Sequence, residues 1–466
     1  MKNAAGAAVN KNIILVIATI TSFIMPFLVA SVNVALPTMG REFAMEAVVM
    51  TWVSTVYFLA IAIIQVPAGR LSDIFGRRKF FILGLLLSAI ASFLGGAANS
   101  VVMLLIARAL QGIGAGIAFN ASFSILTSIF PATERGRALG LNMAGTYAGL
   151  SLGPFIGGVM TEQFGWPSIF NLSGLLSVVL IVMVFLALKG EWREASGESF
   201  DIIGSVAFSI GLALLMYGFS VIITGLGVTL FVLGALGLVF FAWWEIRTPS
   251  PIFDLTLFRR NRVFVFSNLA MLMTYVSTFA LNFLMSLYLQ YINGFSPQTA
   301  GLVLISASVL MAVFTPLSGR ISDRIEPRLV ASVGLVIISV ALVFFIFLGD
   351  ATALWWIILS LALYGIGIGV FGSPNSNAIM GSVDRKSLGV AAGTIGTMRT
   401  AGMMLSMGIM MVLFSLYMGQ AEITPEYYPQ FLMSVRVGFI IFAALSIGGV
   451  FVQLMARVKS PRHAAE

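Results

Sequence analysis

Apolar residues run through this chain in long blocks, without the two-residue alternation of a half-exposed strand. Fourteen blocks are near or above the roughly 20 residues that a helix needs to cross about 30 Å of hydrocarbon. They fall at 12–36, 47–68, 79–98, 101–128, 138–161, 168–188, 201–222, 226–246, 263–291, 298–318, 328–348, 352–378, 388–417 and 433–456. The pieces between them are short, the longest lying near 247–262 and 418–432. A segment immersed in lipid must satisfy its backbone hydrogen bonds internally, as a helix or in a closed barrel. These blocks are too long for barrel strands and lack their alternation. The pattern predicts an all-α membrane protein with 14 transmembrane helices.

Composition agrees, with 59% hydrophobic and 9% charged residues, against roughly 25% charged in soluble domains. The net charge of +8 is explained by where the charges stand. With the N-terminus inside, the inner loops and tails hold nearly all Lys and Arg, including Arg70, Arg77, Arg78, Lys79, Arg135, Arg137, Arg259, Arg260, Arg320, Arg324, Arg385 and Lys386. The outer side holds Arg41, with Arg436 near the outer end of the last span. Positive charge concentrates on the cytoplasmic side of membrane proteins. The expectation is therefore a multi-pass protein of the cell (inner or plasma) membrane with both termini cytoplasmic, and no nucleic-acid partner. There is no cysteine, which excludes disulfides and thiolate chemistry, and the one histidine, His463, lies in the polar C-terminal tail. No phosphate-binding G-x-x-x-x-G-K-[ST] loop is present. An enzyme, a metal site and a cofactor are not expected.

The polar pieces repeat. GRLSDIFGRR at 69–78 returns as GRISDRIEPR at 319–328, an offset of 250. ALQGIGAG at 109–116 returns as ALYGIGIG at 362–369, and Leu139-Gly140 as Leu388-Gly389, with nearly the same offset. Spans 1–6 and 9–14 are thus two copies of one unit, and spans 7 and 8 stand between them without partners. The chain divides into a six-helix bundle at 1–190, two additional helices at 191–260 and a second six-helix bundle at 261–466. Duplicated halves around a midplane site are common among secondary transporters.

With these motifs the chain resembles the major facilitator superfamily, in particular its fourteen-span drug:proton antiporters. Gly69, Asp73, Gly76, Arg77 and Arg78 resemble that family's loop between spans 2 and 3, with Ile74 where a basic residue is usual. Arg108 and Gln111 resemble its span-4 motif, and Gly149, Gly153, Pro154, Gly157 and Gly158 its span-5 antiporter motif. The resemblance implies that the loop cluster, with Gly319 and Asp323 in the second copy, latches the cytoplasmic side. It also implies a cavity lined by spans 1, 4, 9 and 12, with 2, 5, 10 and 13 beside it. Candidates for contacting substrate there are Met25, Asn33, Trp52, Tyr57, Arg108, Gln111, Asn120, Asn142, Tyr147, Tyr275, Phe279, Asn282, Met285, Tyr364, Asn375, Asn377 and Arg399. Buried arginines are costly in hydrocarbon and usually face a cavity or a partner.

Relatives that export cationic drugs commonly carry an aspartate in span 1 shortly before NVALP; here the stretch reads PFLVASVNVALP, with no acid in it, and Asn33 is the polar position considered in its place. Acids cluster at span ends and in loops, leaving Glu46, Asp73 and Glu162 as candidates for proton coupling. The expected function is export of amphiphilic, drug-like compounds by a monomer, coupled to protons. The alternative is an exporter or flippase of neutral or anionic amphiphiles or lipids that uses no span-1 carboxylate.

Overall fold

In the computed structural model the described residues are 11–130, 132–193, 197, 199–248, 261–322, 324–383 and 388–456. Asp323, the acid Asp384 and basic residues including Arg259, Arg260, Arg385 and Lys386 lie outside them.

Among the described residues there are fourteen long helices and no strand. These are α1 (Lys11–Glu42), α2 (Ala47–Phe75), α3 (Arg77–Gly96), α4 (Val101–Ile129), α5 (Ala132–Phe164), α6 (Pro167–Ala187), α7 (Ile202–Ser220), α8 (Gly225–Glu245), α9 (Arg262–Leu287), α10 (Pro297–Ser322), α11 (Pro327–Ile346), α12 (Leu354–Gly381), α13 (Leu388–Tyr417) and α14 (Tyr428–Leu454). Thirteen stretches are long and apolar enough to cross a membrane. The helix outside that set, α5, carries the glycine-rich run and is the longest at 33 residues.

Two compact units are present. One comprises Met1–Phe253, Ala280–Ser308 and Met407–Ser434, and the other Asp254–Phe279, Val309–Ser406 and Val435–Glu466. In the first, α3 crosses α4 where a methyl added to Gly84 would run into the backbone of Gly114 and Ala118. In the second, α11 crosses α12 where a methyl on Gly334 would meet the backbone of Gly367 and Phe371. The same offsets of 250 and 253 relate these two crossings. Gly116 against Ile61 and Ile64 corresponds in the same way to Gly369 against Met311 and Phe314. Without a hydrophobic drive between helices in lipid, close packing of small residues supplies the contact. The repeat is therefore visible in the packing as well as in the sequence.

The unrepeated helices α7 and α8 form a hairpin that closes on two glycine contacts, Gly211 with Gly234 and Gly218 with Gly227. Trp52 of α2 lies against Tyr217 of α7, ring centroids 6.2 Å apart. The far side of α8 leaves Leu226, Val228, Val232, Leu236, Val239 and Phe240 exposed, as a lipid-facing helix does.

Glycines on α5 let it lie directly on α1. Side chains at Gly145, Gly149, Gly153 and Gly157 would strike Thr19, Phe23, Phe27 and Ser31, one helical turn after another. On its other side α5 meets α10: Gly158 faces Pro297, and Gly301 faces Pro154 and Phe155.

Candidate functional site

The first motif is folded into a tight corner. α2 continues helically through Gly69 and Asp73 to Phe75, so Gly76 alone separates it from α3. Gly76 has φ +124°, a backbone state that side chains disfavour, and a Cβ there would collide with Glu191. The Asp73 carboxylate accepts from Arg77 Nε at 2.7 Å. Arg77 also donates to Ser124 O at 3.2 Å and to the Ser128 hydroxyl, which ties the corner to the end of α4. The acid at the N-terminus of α3 is Glu191: its Oε1 accepts from Arg78 N at 2.8 Å, while Trp192 O accepts from Arg77 N. A carboxylate is favoured there by the exposed N–H groups and the helix dipole. Glu191 was not picked out from the sequence, because a polar residue after a span carries no local sign of its partner. Arg78 stands over the Phe185 ring. In the second copy Ser322 bonds Gly319 O, as Ser72 bonds Gly69 O.

A buried polar network occupies α1, α2, α3 and α4. Arg108 is fully buried. Its Nε donates to Val53 O at 3.0 Å, its Nη1 donates to Gln111 Oε1 at 2.7 Å, and its guanidinium lies 4.2 Å from the centroid of Tyr57. Gln111 in turn donates to Ser92 Oγ at 2.7 Å. Met25, Tyr57 and Gln111 border a cavity of about 20 Å³ together with Ser88, Ser92, Ser173 and Ser177. That is room for about one water, so these residues pack within the first six helices around a water-sized void. Asn33 is buried and accepts from Ser54 Oγ at 2.8 Å.

The remaining candidates separate into smaller groups. Asn120 donates to Gln65 O and packs on Gly69, and Asn142 donates to Ala18 O, tying α5 to α1. Tyr147, Phe279, Asn282 and Arg399 are half-buried, and Met285 is fully buried. In the second unit Tyr364 bonds Thr278 and neighbours Tyr275, which packs on Gly402 of α13. Asn375 donates to Ser267 O, and Asn377 to Ser322 Oγ. Among the proton-coupling candidates, Glu46 precedes α2 with no side-chain cap bond, and the exposed Glu162 accepts from Gln298 N. A further acid pair was missed. Asp201 and Glu245 are both buried, and both would meet a Cβ on Gly204 between α7 and α8.

Within the first unit, parts of the two copies meet at one end. Ser286 donates to Asn33 O at 2.7 Å, Gln290 to Val34 O at 2.8 Å, and Tyr291 to Pro37 O at 3.3 Å. Ser151 and Ser308 each donate to the backbone of the other's helix, and Ala47 N donates to Ala421 O. Tyr288–Ile292 forms a π-helical turn at the end of α9. No ion pair among the described residues joins these segments. Neutral hydrogen bonds of this kind contribute about 0.5–1.5 kcal/mol each, so the contact is specific but breakable.

Sequence copies with matching glycine-lined helix crossings and a fully buried arginine fit an architecture common among membrane transporters. The chain belongs to the Major Facilitator Superfamily, whose model matches residues 18–407 and again 267–466; it is a multi-pass membrane transporter. It is 29% identical over 414 residues to the riboflavin transporter RibZ of Clostridioides difficile, covering 88% of this chain and 89% of that one. It is 28% identical to the multidrug resistance protein Stp of Mycobacterium tuberculosis (84% and 74% covered). The puromycin resistance protein pur8 of Streptomyces alboniger is 29% identical (81% and 77% covered). Two solved structures share the fold at 16% identity. A bacterial homologue of the human lysosomal transporter Spinster, in an inward-facing and occupied conformation, has TM-score 0.66, with 97% of each chain covered. The human organic anion transporter MFSD10 has TM-score 0.63, with 95% of this chain and 98% of that one covered.

Proposed function

We propose that this protein is a secondary active exporter of amphiphilic, drug-like compounds, working by alternating access in the cell membrane with both termini cytoplasmic and using a proton gradient. The observation that carries the reading is the set of neutral hydrogen bonds joining α1 and α5 to the outer parts of α9 and α10. A transporter must open and close such a contact in every cycle, and a few kcal/mol allows both states to be populated. The relatives named for riboflavin transport and for multidrug and puromycin resistance favour small organic substrates. The Lys and Arg distribution favours the orientation. Substrate, protons and the lipid bilayer are the partners of this reading, and a monomer is sufficient for it.

Within it, neutral and anionic amphiphiles, lipids included, are favoured over small dications. The residues just before Asn33, where cation exporters commonly carry an acid, are Val29, Ala30, Ser31 and Val32, and the Asn33 side-chain oxygen is already engaged by Ser54. Proteoliposomes tested with cationic, neutral, anionic and lipid-like compounds, with and without a pH gradient, are expected to move neutral or anionic amphiphiles, faster with the gradient. Strong proton-driven transport of small dications alone would overturn the substrate assignment. No transport of any class would overturn the function.

A further inference from the structure

Arg41, the basic residue that the charge pattern places on the outer side, lies at the last turn of α1 and is exposed. It borders a cavity of about 270 Å³ lined also by Gln290, Tyr291, Glu422, Thr424 and Tyr428. All of these belong to the first unit. The Arg41 guanidinium lies 5.2 Å from the centroid of Tyr291, and no carboxylate of the described residues forms an ion pair with it. Arg41 also hydrogen-bonds the Tyr291 side chain, which steadies the planar fork and leaves its remaining N–H groups to donate to a guest. Tyr291 and Gln290 sit on the π-helical turn, a rare geometry that recurs at functional sites. The Gln290 amide nitrogen is spent on Val34 O and Ser286 Oγ, so only its oxygen remains to accept from a guest.

We propose that this cavity is an external binding site for a small aromatic carboxylate carrying a hydroxyl group. Arg41 takes the carboxylate, because a guanidinium matches that planar group with two parallel hydrogen bonds. Tyr291 and Tyr428 supply ring faces of the kind that aromatic guests stack on. Gln290 Oε1 and Thr424 answer the hydroxyl. The volume falls just below the roughly 300–1,000 Å³ typical of drug-sized ligands, which limits the guest to about one ring. Glu422 lines the same cavity and is exposed like Arg41, so it opposes the anion, and the two parallel hydrogen bonds from Arg41 must outweigh it. A guest here touches α1, the turn after α9 and the 422–428 segment at once. On the alternating-access reading, on which this consequence rests, occupancy holds the outer contact shut.

The test is equilibrium dialysis of the purified full-length chain in nanodiscs with labelled 4-hydroxybenzoate, beside 4-hydroxybenzyl alcohol and 4-hydroxybenzylamine. Saturable binding of the acid is expected, at least 10-fold tighter than that of the alcohol. Arg41→Gln should weaken it about 10-fold or more, Arg41→Lys less. Glu422→Gln, a change at an exposed position, should tighten it about 2-fold. Equal binding of acid and alcohol, preference for the amine, or unchanged binding by Arg41→Gln would each overturn the site. Transport by the same preparation separates the two claims. Transport without saturable binding of the acid defeats the site alone, whereas Arg41-dependent binding without transport upholds the site and defeats the exporter reading.

Discussion

Arg108→Gln is expected to lower transport by about 100-fold or more and to reduce the thermal stability of the purified protein. The guanidinium is fully buried, and two of its N–H groups serve Val53 O and Gln111 Oε1. Hydrogen bonds from a charged donor contribute about 1.5–3 kcal/mol each. A glutamine leaves at least one of these acceptors without its donor, and it also removes the cation from the Tyr57 ring. Gln111 then loses the partner that orients it toward Ser92. Arg108→Lys should recover less than a tenth of the lost activity, since an ammonium cannot reproduce the forked geometry that spans both acceptors. Initial rates in proteoliposomes, normalised to folded protein, check this. A Gln variant that keeps a third of the wild-type rate would remove Arg108 from the working parts of the transporter.

The second large effect is expected at Gly149. A Cβ there points at Phe23 O and the Phe27 backbone nitrogen of α1, and backbone cannot rotate away as a side chain can. Gly149→Leu must therefore push α1 and α5 apart. Overpacking of a close contact costs about 1–3 kcal/mol and sometimes more. Four glycines share this one contact line, so displacement at one propagates along it. The expected outcome is little or no folded protein by size-exclusion chromatography. Gly393→Ala on α13 is the control: its Cβ would meet nothing within 4 Å, and alanine gains about 0.5–1 kcal/mol in a helix interior. If the two variants behave alike, close packing of α5 on α1 does not govern folding.

How far the fold could be read beforehand depended on whether the signal was local. Lipid imposes hydrophobicity on every residue that faces it, so the spans stood out one by one. The duplication stood out because both copies keep the same glycines at their crossings; Gly84 with Gly114 and Gly334 with Gly367 show what the repeated letters were for. Helix ends were less legible. α1 runs on to Glu42 past Pro37, and α14 starts at Tyr428, because packing at the ends keeps polar residues helical. The motif read as an inner loop is mostly the last two turns of α2, with the bend confined to Gly76.

The candidate site was legible in its residue types but not in its pairings. An arginine and a glutamine one turn apart in a span announce a polar partner, and they became each other's partners. Trp52 gave no hint that it would meet Tyr217 of a helix outside the repeat. Serines within the spans were not among the candidates. Ser54, Ser92, Ser151, Ser286 and Ser308 carry much of the buried bonding, yet a hydroxyl can bond its own helix backbone and so leaves no mark in the sequence of a span.

The central claim is that the contact between α5 and α10 opens in every transport cycle. The chain has no cysteine, so Ser151→Cys/Ser308→Cys places a single thiol pair on the two facing helices without other changes. Transport by this double variant should match wild type when reduced, stop when the disulfide is formed, and return on reduction. Full turnover with the bridge quantitatively in place would show that this contact never needs to open, and would contradict the account.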